Sequence, residues 1–330
     1  MTPLAFPPGR ATRRLALAAF ALLAAAPSLH AQDYPTKPVQ VIVPYLAGGP
    51  ADTAARIVAQ GLSERMGQPV VVVNKPGAGG NIGHEAIAQA PHDGYTLGIG
   101  GSTTGANVGL YPTLPYDPVK SFAPISIHYR DANILVVHPS SPINSVADLI
   151  AAAKAKPGEL TFSSSGNGTS THLSGELFNK MAGVKMTHVP YKGVPPAIAD
   201  VIGGQVTMMF ASSTIVAPQI RAGKLKAIAV TSLKRLPAFP DLQTISEAGL
   251  PGFEATTWTG LMAPAGTPPA IIAKLNREVV AVLNSPEVRG KLEGQGFEVV
   301  ASTPDEMLAL IKDDIEKWGG LFRSLGTTVN

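Results

Sequence analysis

The stretch Val39-Gln-Val-Ile-Val43, followed by Pro44-Tyr-Leu-Ala-Gly-Gly-Pro-Ala-Asp52, decides the fold. The β-branched run predicts a strand, the glycine pair a turn, and the residues from 52 to 66 a helix. The same unit then repeats. Residues 70–73 read as a second strand, Asn74-Lys-Pro-Gly-Ala-Gly-Gly-Asn-Ile-Gly83 as a second turn, 82–90 as a helix and 96–99 as a third strand. These strands are apolar almost throughout, as in a parallel sheet covered on both faces. A doubly wound βαβαβ lobe of an α/β fold is therefore expected.

A second unit follows the proline-rich stretch 112–118. Strands are expected at 134–138, 161–163, 186–189, 206–210 and 225–231, alternating with helices, with a return strand at 257–262. Ser145-Val-Ala-Asp148 is a capping box opening a helix over 147–156. Thr303-Pro-Asp-Glu306, with proline at the first helical position, opens a long amphipathic helix that runs to about 325.

The first thirty-one residues read as a secretory signal. Arg10, Arg13 and Arg14 precede the uncharged apolar run 15–26, a helix-breaking Pro27 and a small residue, Ala31, at the cut. The run is shorter than the roughly 20 residues of a membrane span. Thr12-Arg13-Arg14 also fits the twin-arginine route. Without this segment the 26 basic residues fall to 23, matching 23 acidic ones. Zero net charge gives no electrostatic case for nucleic acid or an anionic membrane. The remaining chain, about 300 residues, suits two lobes. No cysteine is present, which excludes disulfides, thiolate metal sites, a cysteine nucleophile and a cysteine-borne lipid anchor.

Three strand-to-helix turns carry the chemistry: 44–52, 74–83 and Ser163-Ser-Ser-Gly-Asn-Gly-Thr-Ser-Thr-His172. In open parallel sheets ligands bind beyond the carboxyl ends of the strands, where such turns lie. Their free amides and positive helix ends favour an anion such as a carboxylate. Each turn also has a purely structural reading. The second departs from the dinucleotide fingerprint at its last glycine and follows the second strand, not the first. No nucleophile elbow, S-x-x-K set or metal-ligand histidine spacing occurs, so no catalytic residue, metal or cofactor is assigned. His172 reads as a packing or helix-terminus residue. Asp52 either caps the first helix or orients a ligand amine, a water or a loop amide.

In order along nearly the whole chain, the motifs resemble those of the Bug proteins, extracytoplasmic solute receptors associated with tripartite tricarboxylate transporters. The matching stretches include Val43-Pro-Tyr-Leu-Ala-Gly-Gly-Pro-Ala-Asp52, Asn74-Lys-Pro-Gly-Ala-Gly-Gly-Asn-Ile-Gly83, Asp93-Gly-Tyr-Thr-Leu97, Leu114-Pro-Tyr-Asp-Pro118, Ser170-Thr-His-Leu173, Val189-Pro-Tyr-Lys-Gly193 and Trp258-Thr-Gly-Leu-Met-Ala-Pro264. The resemblance implies a two-lobed, type II-like Venus-flytrap fold with two interlobe crossings. One lobe would hold 32–130 and 256–330, the other 131–255. It implies a periplasmic receptor, not an enzyme, that clamps a small carboxylate and works as a monomer with a membrane transporter or signalling receptor.

The candidate ligand contacts are Tyr45, Leu46, Ala47, Gly48, Ala51 and Asp52 in the first turn, with Gly79 and Asn81 in the second. Gly166, Thr169, Ser170 and Thr171 follow in the third, and Ser102, Thr103, Tyr191, Ala211 and Ser212 complete the set. Tyr45 stands where relatives often carry phenylalanine, and Ala211-Ser212 where many carry an acidic or amide residue. Two other readings remain: an enzyme on the same scaffold, which turnover of a bound acid would favour, and a ligand-free signalling protein, which would bind a receptor but no acid.

Overall fold

β1 (Val39–Val43) is the strand that the opening run predicts, and four of its five residues are buried. The computed structural model describes residues 34–326, so the secretory segment expected at 1–31 lies outside the described residues. Everything below belongs to the unit from Lys37 onward. β1 leads into α1 (Pro50–Met66), β2 (Val70–Asn74), a 3-10 turn (Ala78–Gly80), α2 (Asn81–Ala88), β3 (Thr96–Gly101) and α3 (Ser102–Leu110). It pairs in parallel with β2 on one side and β3 on the other, as a doubly wound unit requires.

β4 (Phe122–Val137) joins the two halves of the molecule. Its first part pairs with β9 (Thr256–Pro264), which is inserted antiparallel between β3 and β4, and with the short β10 (Glu298–Val299). From Asn133 onward β4 enters a second sheet, between β7 (Met208–Ser212) and β8 (Lys226–Val230). That sheet is completed by β5 (Thr161–Ser164), parallel to β7, and β6 (Thr187–Pro190), parallel to β5 at the edge. Helices α4 (Val146–Ala155), α5 (Ser170–Ala182), α6 (Val194–Ile202) and α7 (Ser213–Arg221) connect its strands. The chain closes with α8 (Pro269–Asn284), α9 (Pro286–Gly294) and α10 (Pro304–Leu325). No helix among the described residues is long and apolar enough to cross a membrane.

Two features differ from the sequence reading, each for a physical reason. β4 starts twelve residues before the predicted 134 because Ser126, His128, Asp131 and Asn133 break the apolar run, yet all four are buried. Tertiary hydrogen bonds satisfy several of them. The Ser126 hydroxyl donates to the Ser302 carbonyl at 2.8 Å, and the Asn133 amide to Ser174 Oγ at 2.9 Å. The second feature is α3, whose glycines weaken helix propensity by roughly 1 kcal/mol each. They permit close contact with α10: a Cβ on Gly109 would stand 2.4 Å from the Gly319 carbonyl oxygen. The capping box of α10 forms as predicted, with Glu306 Oε2 accepting from the Thr303 N–H at 2.8 Å.

One apolar core lies against the first sheet, around Ile42, Ile87, Phe122, Met262 and Ile311. Another lies on one face of the second sheet, around Ile134, Val136, Val201 and Met209. The third gathers Phe162, Phe178, Phe210 and Phe253 with Trp318 and Phe322 of α10, so the terminal helix ties both halves together.

Candidate functional site

Six helices begin at one cavity of about 670 Å³ between the two sheets. Their N-cap residues are Gly49 (α1), Gly80 (α2), Gly101 (α3), Thr169 (α5), Gly193 (α6) and Ser212 (α7). All six line the cavity, and none makes a side-chain cap bond. The described helices that do carry a side-chain cap are α4 at Ser145, α9 at Ser285 and α10 at Thr303, and these caps lie outside the cavity lining. The first amides of a helix lack intrahelical partners and carry the positive end of its dipole. Left uncapped around one cavity, they favour an anion within it. Lys192, exposed, is the only cationic side chain in the lining.

Asp52 fixes the shape of the first turn. Its carboxylate accepts from the Gly48 N–H at 2.9 Å, from the Asn74 amide at 2.9 Å and from Arg56 Nε at 3.0 Å. Burial alone would raise its pKa, but the Arg56, Gly48 and Asn74 bonds together hold it below the usual carboxylate range. Asn74 also donates to the Tyr45 carbonyl at 3.0 Å, anchoring the turn at both ends. The Tyr45 phenol meets Thr103 Oγ1 at 2.5 Å, and burial pushes it up to about 12, opposed by that bond, so it stays neutral.

The opposing wall is built of hydroxyls. Thr169 Oγ1 donates to the Gly166 carbonyl at 2.6 Å, and Thr171 Oγ1 accepts from the Ser165 N–H at 2.9 Å. His172 belongs to this turn's support: its Nδ1 accepts from the Gly168 N–H at 3.1 Å, and its ring stacks on His188 at 3.9 Å. The two walls touch. A Cβ on Gly79 would stand 2.4 Å from the Asn167 carbonyl oxygen, and one on Gly193 2.8 Å from Leu46 Cδ1.

Thirteen of the residues singled out from the sequence line this cavity. They are Tyr45, Leu46, Ala47, Ala51, Gly79, Ser102 and Thr103 on one side, and Gly166, Thr169, Ser170, Thr171, Tyr191 and Ser212 on the other. Four do not. Gly48 and Asp52 shape the turn from behind, as described. The Asn81 side chain is buried, accepting from the Asn107 amide at 2.7 Å and the Tyr116 hydroxyl at 2.8 Å. Ala211 faces away into the apolar core around Ile134.

The sequence reading missed the floor. Tyr129 and Asp131 of β4 and Thr257, Trp258 and Thr259 of β9 line it. Asp131 is buried, with its carboxylate bonded by the Ser212 and Ser213 hydroxyls. Burial pushes it up to about 7, against the lowering effect of Ser212, Ser213 and the Ala132 amide. Behind the floor, Trp258 Nε1 donates to Asp314 Oδ2 at 2.7 Å. An acidic residue three places ahead of the apolar run 134–137 was the available signal for Asp131.

The arrangement can enclose a small molecule and offers it hydroxyls and amides, groups suited to an anion. Residues 54–327 match the family described as tripartite tricarboxylate transporter family receptor. The chain is 40% identical over 298 residues to the protein BugT of Bordetella pertussis, covering 90% of this chain and 91% of that one. The structure of Rpa4515 from R. palustris with adipate superposes with a TM-score of 0.85 at 38% identity, over 90% of this chain and all of the other. That of MatC from Rhodopseudomonas palustris with bound malate gives 0.83 at 34% identity, over 88% of this chain and all of the other. The chain belongs to the tripartite tricarboxylate transporter receptor family, the Bug-type receptors that its motifs resemble, and shares their two-lobed α/β fold.

Proposed function

We propose that this chain captures a small carboxylate-bearing molecule in the cleft between its lobes and delivers it, in the periplasm, to a membrane transporter. The family is one of receptors, not enzymes. The observation that carries the ligand class is the ring of six helix N-termini without side-chain caps around one cavity. Adipate and malate in two solved relatives agree with it. A cavity of about 670 Å³ falls within the usual range for small-molecule sites.

In this reading one lobe comprises 32–130 and 256–330 and the other 131–255, with the chain crossing along β4 and before β9. The thirteen lining residues named above are the ligand contacts, partly through bridging waters, which bind nearly as well as direct hydrogen bonds. Binding favours the arrangement in which the two walls touch. Residues 1–31 direct export and are removed, and the receptor works as a monomer.

The test is thermal unfolding of residues 32–330 against di-, tri-, amino and aromatic acids. Ligand at a hundred times its dissociation constant adds about 2.7 kcal/mol. Ala51→Arg, at the cavity wall, should abolish the shift by filling the cleft. Wild-type affinity in that variant would place the ligand elsewhere.

A further inference from the structure

Asp131 is the one acidic side chain lining the cavity, and no cation accompanies it on the floor. A carboxylate offers about four acceptor positions. Two hydroxyls, Ser212 and Ser213, and the Ala132 amide occupy three, leaving room for one further donor from the cleft. Lys192 is on the exposed turn after β6. A buried carboxylate without a cationic partner is costly, and a second carboxylate placed against it would be repelled. Tyr129 is the titratable neighbour on the same strand, and Thr257 stands opposite Asp131 on β9. Arg130 is exposed, on the alternate face of β4.

The ladder sets the distance. Gly101, the N-cap of α3, pairs with Thr259 of β9, which pairs with Tyr129 of β4, two residues from Asp131. Two strand steps span about 10 Å and the two-residue offset along β4 about 7 Å, which together put the two backbones about 12 Å apart. A hydrogen bond of about 3 Å at each end leaves at most about 6 Å for the ligand's own charged groups.

We propose that Asp131 selects a zwitterionic ligand, whose carboxylate sits at the uncapped helix N-termini and whose ammonium group sits against Asp131. This rests on the carboxylate-capture reading above and narrows it to short amino acids with separated charges, in place of dicarboxylates. Binding an ammonium there draws a proton off any protonated Asp131, whereas binding a second carboxylate adds one.

Calorimetric titration at neutral pH, in two buffers of different ionisation enthalpy, reads both affinity and proton transfer. The probes are 4-aminobutanoate and 5-aminopentanoate, with succinate and glutarate as dicarboxylates of equal length and butanoate as the plain acid. The amino acids should bind at least tenfold more tightly than the dicarboxylates, with proton release. Asp131→Asn should lower amino-acid affinity at least tenfold and reverse or abolish the preference over the dicarboxylates. Tighter dicarboxylate binding with proton uptake, or an unchanged preference in Asp131→Asn, would overturn the assignment. The proton count on the wild-type protein decides the matter even where that variant does not fold. Failure of every probe would overturn the assignment, and only if the wider panel of tri- and aromatic acids also gave no thermal shift would the carboxylate-capture reading beneath it fall as well.

Discussion

Replacing Gly79 by alanine should weaken ligand binding far more than it weakens the fold. Gly79 has φ +62, and its added Cβ would lie 2.4 Å from the Asn167 carbonyl oxygen on the opposite wall, about 1 Å inside ordinary contact. The left-handed backbone costs alanine roughly 1–2 kcal/mol in any state of the cleft. The clash adds about 1–3 kcal/mol, the usual range for overpacking, but only while the walls touch. An empty cleft relieves it by opening. At about 1.4 kcal/mol per decade, this predicts a further affinity loss of roughly 5- to 150-fold. Gly48→Ala is the matched control, because Gly48 has φ +81 and no atom within 4 Å of its Cβ position. Both variants should lose similar ligand-free stability in thermal unfolding, and only Gly79→Ala should lose affinity in calorimetric titration with the tightest acid of the panel. Equal affinity in the two variants would refute the argument, since the Gly79–Asn167 contact would then have no part in the ligand-bound arrangement.

Two further predictions concern the frame of the site. Burial pushes Asp314 up to about 7, against the Trp258 and Ser102 bonds, so from the ordinary carboxylate value upward the folded chain holds a proton that the unfolded chain has lost. That contribution disappears as pH rises from about 4 to about 7. His84 and His128, pushed down to about 4 by burial, act in the opposite direction over a similar window. The informative quantity is therefore a difference: the stability of Asp314→Asn minus wild type, from urea unfolding, should climb across that window and then level off. A flat difference would mean that Asp314 ionises normally in the fold. Thr303→Ala removes the side-chain acceptor for the Glu306 amide and half of the box that starts α10. It should cost about 1 kcal/mol, seen as a lower urea midpoint with unchanged affinity; an unchanged midpoint would show that packing on α3 alone holds the start of the helix.

The sequence announced its glycine turns and capped helices because each is a local signal with a local cause. Gly48 and Gly49 make a turn wherever they stand, and Thr303 and Glu306 cap each other across three residues. What stayed hidden depends on distant partners. The start of β4 looks too polar for a strand until Ser302 and Ser174 arrive to bond Ser126 and Asn133. α3 looks too rich in glycine until Gly319 packs against Gly109. The pairing of Ala211 with Ser212 as ligand contacts overlooked strand alternation, which turns neighbours to opposite faces. Asn81 sits beside the cavity in sequence, but its side-chain oxygen already accepts from Asn107 and Tyr116. Asp131 was legible in principle, as an acid three places ahead of the apolar run 134–137, but strand register was needed to aim it at the cleft.

The placement of β9 between β3 and β4 has a consequence for how the chain acquires its shape. Gly101 must wait for Thr259, and α3 for the residues of α10, whereas the second sheet is assembled from residues 133–230 without a break. Contacts so distant in sequence form slowly, because the loop between them must first be closed. During synthesis the second sheet can therefore mature while the first still exposes the edges of β3 and β4. The last seventy residues act as the latch of the whole molecule, and a nascent chain that ends before Thr256 should remain open, unable to seal the floor of its own cleft.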